Sequence, residues 1–487
     1  MDLNYNILDQ LINIVGHEYA TDNPNILDKY SKDYSINPPI RPNYVVLPEK
    51  REEVQRIIEL ANRNSIPVIP RSSGVGFHGN TIPNQGGIVV NMTRMNRILN
   101  IDERNRSVRI EPGVTYGQLQ KVLANYRLMA LNPLSPHPLK SVLSSHLERE
   151  PMLIPKFEYG DPVLTMEVIL PRGDILRTGS ASAPGAPDES LSDLVGPHGP
   201  GLDFYRFFLG AQGTLGIVTW MNIKVEYLPK LQKLFFIPFE KVEDLIEPTY
   251  RIQRRMIGNE CFILNQTYLA SILARSENEL EQLKEVLPSW TLILCLAGGP
   301  RRPEEKIEYE EEVLKEVASN LSLNILSTLP GTLGDDKILL ERIRQPWVET
   351  DPYWKFREKE GHEDLSFHMK LNRIPEFIQP VYELAFNKGY DAKYIGCYIQ
   401  PIERGRVCYC EFGLSYKPDD LDEVEKVRGL YSEANEMLYS KGALFTSPYG
   451  IQSKIAYGRA TSYTATLRKI KNIFDPNNIM NPGKLCF

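Results

Sequence analysis

Residues 71–80 read Arg71-Ser72-Ser73-Gly74-Val75-Gly76-Phe77-His78-Gly79-Asn80, a small-residue loop set directly behind the apolar run Pro67-Val68-Ile69-Pro70. The glycines match G-x-G-x-x-G, but a nicotinamide-dinucleotide fingerprint needs them to open a helix whose N-terminus receives a pyrophosphate. Here Thr81-Ile82-Pro83-Asn84-Gln85-Gly86-Gly87 follows, which is turn chemistry and argues against that fold. A loop of this kind still binds anions, because successive backbone N–H groups in an irregular turn form a nest without any helix dipole. The bland alternative, a ligand-free surface loop, is weakened by its neighbours. These are an amphipathic helix over 49–65 with Val54, Ile57, Ile58 and Ala61 on one face, a strand at Ile88-Val89-Val90, and a closing Gly213-Thr214-Leu215-Gly216-Ile217-Val218-Thr219.

With 487 residues the chain is long enough for two or three domains with ample cores. Its net charge of -6 gives no electrostatic case for nucleic acid or an anionic membrane surface, so any anionic ligand must be held locally. The opening Met1-Asp2-Leu3-Asn4-Tyr5 has no basic n-region, and no run of about 18 apolar residues occurs, so the expectation is a cytoplasmic protein without a membrane span. The six cysteines, Cys261, Cys295, Cys397, Cys408, Cys410 and Cys486, show no C-x-x-C spacing and read as reduced. The seven histidines are dispersed, and nothing in the spacing asks for a metal.

Further along, Ser107-Val108-Arg109-Ile110-Glu111 reads as a strand ended by Pro112-Gly113. Thr115 with Gln118 forms a capping box for a helix carrying Leu119, Val122 and Leu123. A strand over 163–170 turns at Pro171-Arg172-Gly173-Asp174 into Ile175-Leu176-Arg177. Phe204, Phe207, Phe208 and Ala211 form a helical stripe read as core. The strand over 216–228 alternates, with Thr219, Met221, Ile223, Val225 and Tyr227 on one face and Trp220, Asn222, Lys224 and Glu226 on the other. Pro229-Lys230 marks a boundary. Beyond it longer charged helices appear, among them a Glu/Lys run over 303–316 read as a solvated face, with strands at Tyr398-Ile399-Gln400 and over 406–414. The fold class expected is α+β.

Taken in order, several motifs resemble the vanillyl-alcohol oxidase and p-cresol methylhydroxylase family of flavoproteins. They are Pro48 with its helix, Arg71-Ser72-Ser73-Gly74 with Gly76, Glu111-Pro112-Gly113-Val114-Thr115-Tyr116, Tyr159-Gly160-Asp161, Met166-Glu167-Val168-Ile169-Leu170 and Leu176-Arg177-Thr178-Gly179. Gly216-Ile217-Val218-Thr219, Asp475-Pro476-Asn477 and Asn481-Pro482-Gly483-Lys484 complete the set. The resemblance implies a PCMH-type FAD-binding domain of two α+β subdomains at 1–229, an α+β cap at 230–444 and a C-terminal segment at 445–487 returning to the FAD domain. It also implies a homodimer, FAD as cofactor, and oxidation of a substrate C–H by hydride transfer to flavin N5. A separate polypeptide could serve as electron acceptor, since this chain has no cluster motif of its own.

By the same resemblance, Arg71, Ser72, Ser73, Gly74, Val75, Gly76, Phe77 and His78 hold the pyrophosphate. Ser141, Ser144, Ser145 and His146 run beside the flavin, Gly216, Ile217 and Val218 contact the cofactor, and Lys484 closes the FAD site. Glu148, in Leu147-Glu148-Arg149, matches the family's acidic residue and is the first choice for the catalytic carboxylate. Otherwise it is a surface Glu paired with Arg149 or Arg172. The position of a flavin-linking residue falls at Tyr409 and Cys410, only one of which can face the flavin on an alternating strand. FAD is expected to be held non-covalently, with a link through Tyr409 as the alternative. His368 reads as a cap residue near the site or as a core histidine.

The departures bear on substrate. Phenol oxidases of this family hold the phenolate oxygen with two tyrosines and an arginine. Here Val75 replaces one tyrosine, and the Tyr-Arg pair becomes Tyr449-Gly450, leaving Tyr449 alone. The substrate expected is a hydroxylated or 4-alkylphenol-like small molecule. A D-2-hydroxy acid dehydrogenase is the runner-up, although no H-x-G-D-G-N-x-H motif is present. A flavin-using transferase of the alkylglycerone-phosphate synthase type would need cations in the cap, from Arg301-Arg302 or from Arg404 and Arg406.

Overall fold

The computed structural model describes residues 6–156, 161–183, 196–332 and 335–487, with the side chains of 335–337 set aside; Tyr159 and Gly160 of the Tyr159-Gly160-Asp161 motif lie outside these. Three sheets organise the chain into a mixed α+β architecture. In the first, Tyr44–Val46, Ile88–Asn91 and Val68–Arg71 run parallel, with Ala20–Thr21 antiparallel at one edge. Parallel strands need a covered face, and the helix Arg51–Arg63 supplies one through Val54, Ile57, Ile58, Leu60 and Ala61. The C-terminal segment adds to the other edge: Val68 N donates to Ile479 O at 2.7 Å, and Asn481 N donates to Val68 O at 2.9 Å.

The second sheet is antiparallel, in the order Ile98–Asp102, Ser107–Ile110, Ile217–Tyr227, Val163–Ile169, Ile175–Arg177, with Leu128–Ala130 pairing to the far end of Ile217–Tyr227. The N-cap half of the expected capping box is present: Thr115 Oγ1 accepts from Gln118 N at 3.3 Å and starts Tyr116–Ala124, while the Gln118 side chain donates to Asn96 O at 2.9 Å. Both faces of the long strand are covered, with Met221, Ile223 and Val225 together in one apolar cluster. Trp220 and Asn222 are buried, because the Arg109 guanidinium covers the indole at 4.6 Å and Asn222 Nδ2 donates to Thr165 Oγ1 at 2.6 Å. A register shift between Val218 and Trp220 interrupts the alternation only locally.

The third sheet is also antiparallel, ordered Leu231–Phe239, Trp290–Gly298, Glu260–Asn265, Ile395–Ile402, Val407–Tyr416, Gly361–Met369. One face packs on Ile246–Arg254, Pro303–Leu321, Pro375–Asn387 and Leu421–Ser440. Its opposite face packs on Gln266–Leu273, Glu277–Val286 and Asp335–Arg344, and on Phe77, Leu134 and Leu153 from the first half of the chain. The helix Pro303–Leu321 is not a wholly solvated run: Ile307, Val313, Leu314 and Val317 face the core, and the buried Glu310 accepts from Lys306 at 2.7 Å. The phenylalanine stripe is likewise only partly core. Its helix is the short Tyr205–Phe208, and Phe207 is 38% exposed while Phe208 is buried. No helix among the described residues is long and apolar enough to cross a membrane.

Candidate active site

Chain reversal at the end of Val68–Arg71 and the start of Ile217–Tyr227 leaves a narrow channel lined by Ser72, Asn80, Ser144, Gly216, Ile217 and Val218 among others. Small residues make room for it. At Gly213, with φ +71°, a Cβ would sit 2.4 Å from Pro70 Cγ, so a side chain here would displace the channel wall. Buried polar atoms gather along it. Among the described residues, Asn80 Oδ1, Thr81 Oγ1 and Tyr449 Oη on its lining, and Arg71 Nη1 beside it, have no hydrogen-bond partner within the protein. Buried groups of this kind are costly unless a ligand satisfies them. An elongated ligand with phosphate oxygens and hydroxyls suits this mixture of acceptors and donors, and FAD is such a ligand.

The loop expected to hold pyrophosphate divides its roles. Ser72 faces the channel, while Arg71 turns back over the Tyr30 ring at 5.0 Å and reaches Gly74 O at 3.4 Å. Ser73 Oγ accepts from Ser141 N at 3.0 Å. Residues 72–87 hold no helix, in accord with the rejected dinucleotide fingerprint. Gly74 and Gly76 carry the turn, Val75 packs against the apolar cluster beneath the third sheet, and Phe77 and His78 reach a second pocket. Lys484 Nζ donates to Gly79 O at 2.8 Å and to Asn84 Oδ1 at 3.1 Å, bracing the loop, and burial pushes this amine down to about 8.

Of the four residues expected beside the flavin, Ser144 lines the channel and three do not. Ser141 is the N-cap of Val142–Leu147 and donates to Pro112 O at 2.6 Å. Ser145 bonds Glu150 instead, and His146 is fully buried, its imidazole pushed down to about 4 by burial. A six-residue helix turns only part of its circumference to the channel, which explains the division.

Glu148 follows that helix and is neither on the surface nor paired with Arg149 or Arg172. Its Oε2 accepts from Lys140 Nζ at 2.9 Å and its Oε1 from Asn80 Nδ2 at 2.9 Å. Burial pushes the carboxyl up, but Lys140, with His78 and Asn80, outweighs it and holds Glu148 below its ordinary value. Lys140 also binds Glu150. Tyr449 stacks on His78, and burial followed by the Glu148 charge drives its phenol well above the usual range.

Beyond His78 and Lys140 lies the second, smaller pocket, roofed by the third sheet. Phe77, Tyr353, Trp354, Tyr398 and Tyr409 form aromatic walls. Tyr409 Oη donates to Glu411 Oε2 at 2.6 Å. Lys355 Nζ donates to Glu411 Oε1 at 2.8 Å and to both oxygens of Asp364 at 2.7 and 2.8 Å. His362 Nε2 meets Asp364 Oδ1 at 2.7 Å. Burial pulls Asp364 up, yet Lys355 and His362 prevail and set it well below the carboxylate range. The convergence of His362, Asp364 and Glu411 has no counterpart in sequence spacing, and the positive charge among them is the Lys355 ammonium.

Cys410 does not reach this pocket. Strand alternation sends it with Cys408 and Phe412 to the opposite face, where burial drives its thiol well above the usual range. His368 is buried, with Nδ1 3.0 Å from Thr446 Oγ1 and its ring against Tyr409 at 5.5 Å. Arg301, Arg302, Arg404 and Arg406 do not line either pocket. Sequence reasoning missed Lys140, Glu150, Lys355, Asp364 and Glu411. The aromatic run Tyr353-Trp354-Lys355-Phe356 was the available signal.

A family model described as FAD binding domain matches residues 42–179, and another, FAD linked oxidases C-terminal domain, matches residues 449–485. Glycolate oxidase subunit GlcD of Bacillus subtilis is 24% identical, covering 98% of this chain and 96% of its own. D-lactate dehydrogenase of Anaerostipes hadrus is 25% identical, covering 92% and 90%. Among solved structures, p-cresol methylhydroxylase with substrate bound superposes with a TM-score of 0.85 at 19% identity, covering 99% of this chain and 96% of that one. The chain thus carries an FAD binding domain and an FAD linked oxidase C-terminal domain, has the fold of the PCMH-type flavoproteins and is an FAD-dependent oxidoreductase.

Proposed function

We propose that the protein oxidises a neutral aromatic compound bearing a hydroxyl group, of the 4-alkylphenol or aromatic-alcohol kind, in the pocket roofed by the third sheet. The observation that carries this reading is the charge state of that pocket. Lys140 is held by Glu148 and Glu150, and Lys355 by Asp364 and Glu411, so each ammonium is already saturated by two carboxylates. A substrate carboxylate would meet an excess of negative charge. A neutral ring meets Phe77, Tyr353, Trp354, Tyr398 and Tyr409.

FAD, when bound, supplies the acceptor for a hydride from the substrate C–H. Ser72, Asn80, Thr81, Ser144, Gly216, Ile217 and Val218 would hold it along the channel, with Arg71 beside the loop. His78 and Tyr449 stand where the channel meets the cap pocket, and both line cavities there. Glu148 keeps a fixed negative charge at that junction, and Lys140 keeps it in place.

A 2-hydroxy acid is the second reading, favoured by the glycolate oxidase and D-lactate dehydrogenase relatives. It requires Lys140 or Lys355 to exchange a protein carboxylate for that of the substrate. Equilibrium binding of 4-ethylphenol against 4-hydroxybenzoate to the holoenzyme separates the two. The neutral phenol is expected to bind at least about tenfold more tightly, a difference of about 1.4 kcal/mol; tighter binding of the carboxylate would overturn the reading.

A further inference from the structure

A third cavity, of about 600 Å³, backs onto the FAD channel and shares with it only Gly210, Ala211 and Leu215. Its volume is that of a small-molecule site. We propose that it binds an amphipathic carboxylate, with the anionic head on Arg149 and the hydrocarbon body against the apolar walls.

Those walls come from three stretches far apart in sequence. Phe207 and Leu215 precede or open onto the long strand Ile217–Tyr227, Phe445 follows the helix Leu421–Ser440, and Tyr463, Leu467 and Ile470 belong to the helix Thr461–Phe474. Tyr463 and Phe207 are left exposed, and clustered apolar surface of this kind marks a place where something binds. Charge decides what binds. Arg149 and Arg206 line the cavity and, among the described residues, no aspartate or glutamate does. Arg206 lies over the Tyr205 ring at 5.4 Å.

Arg149 follows Glu148 directly, yet Glu148 is taken by Lys140 and Asn80, and no carboxylate among the described residues pairs with this guanidinium. At the last residue, Phe487 O accepts from Gly483 N at 2.9 Å instead. A hydrogen bond from Arg149 Nη1 to Thr446 O at 3.0 Å fixes the group in the wall. Its charge acts on that wall: burial drives the Tyr457 phenol up, with Cys486 and Tyr463 adding to it, and Arg149 opposes them. The backbone supplies a second observation. Arg149 stands just after the C-cap of Val142–Leu147 with φ +61°, a left-handed position that glycine or asparagine favours, so the cavity wall holds a charged side chain at a conformational cost. One guanidinium without a carboxylate balances one negative charge, and its planar fork matches a carboxylate through two parallel hydrogen bonds.

The test is isothermal titration of the FAD-loaded protein with decanoate and with 1-decanol, which share a hydrocarbon body and differ in the head. Decanoate is expected to bind one molecule per chain, at least about tenfold more tightly than the alcohol. Arg149→Gln is expected to erase that preference. Because Arg149→Gln also releases Thr446, Leu467→Trp serves as the second variant: it fills the apolar part of the cavity, leaves Arg149 in place, and should weaken both ligands about tenfold or more. No saturable binding of decanoate, equal affinity for acid and alcohol, a preference retained in Arg149→Gln, or unchanged affinities in Leu467→Trp would overturn the inference. None of these outcomes bears on the aromatic substrate, whose pocket shares no residue with this cavity.

Discussion

The imidazole of His78 and the phenol ring of Tyr449 lie stacked, with centroids 4.4 Å apart and planes 14° from parallel. One residue belongs to the small-residue loop, and the other is the N-cap of Gly450–Arg459, so the stack ties the C-terminal segment to the loop between channel and cap pocket. Tyr449 Oη is buried without a partner in the protein. Tyr449→Phe is therefore expected to leave the FAD-free protein as stable as the wild type, or more stable by about 0.5–1 kcal/mol, in urea unfolding. Turnover should fall about tenfold if that hydroxyl serves the ligand. A Tyr449→Phe enzyme with full turnover would assign the tyrosine to packing.

Glu363, in the strand Gly361–Met369, offers a pH-dependent test of the third sheet. Its Oε2 accepts from Ile36 N at 2.9 Å, and burial, with Asp364 and Asp33 adding to it, pushes the carboxyl up to about 8. The folded protein then keeps a proton that the unfolded chain releases near 4.5. Stability contributed by this group is present below the unfolded value and is lost as pH rises toward the folded one. Relative to Glu363→Gln, the wild type should lose on the order of 4–5 kcal/mol between pH 4.5 and about 8. Urea unfolding of both proteins at several pH values measures the difference, and parallel profiles would contradict it.

Arg344 Nη2 and Glu260 Oε2 form an ion pair at 2.8 Å, with side chains only 5% and 2% exposed, joining the helix Asp335–Arg344 to the strand Glu260–Asn265. Arg344→Met leaves a buried carboxylate unpaired and should cost about 3–5 kcal/mol in chemical denaturation. The double variant Arg344→Met, Glu260→Met should recover most of that loss.

Gly213 probes the channel without touching the cap pocket. Gly213→Ala must either move Pro70 or strain a φ of +71°, and is expected to lower stability by about 1–3 kcal/mol and to reduce FAD retained on gel filtration. Stripping FAD from the wild type should itself cost about 3–4 kcal/mol when the cofactor had been present at a few hundred times its dissociation constant.

How much of this is legible in the chain follows from which interactions are local. The helix Arg51–Arg63, the cap at Thr115 and the turn after Val163–Ile169 rest on periodicity and side chain to backbone bonds within a few residues, and their signatures survive in sequence. The pairing of Cys410 with the core and Tyr409 with the pocket follows from alternation once the face is known, but the face is set by helices far along the chain. Lys140 and Lys355 read as ordinary surface charges, because their carboxylate partners come from a later turn or from other strands. Ser145 and His146 were placed by motif, and the short helix Val142–Leu147 turns them inward.

The central claim is that the cap pocket oxidises a neutral aromatic hydroxyl compound with FAD. Its most direct test is the visible absorbance of the oxidised flavin, followed anaerobically while the purified holoenzyme is mixed with 4-alkylphenols and aromatic alcohols in one series and with D-lactate and glycolate in another. The account predicts bleaching by members of the first series and none by the second. Bleaching by the hydroxy acids alone would contradict it and show that Lys140 or Lys355 gives up a protein carboxylate to bind substrate.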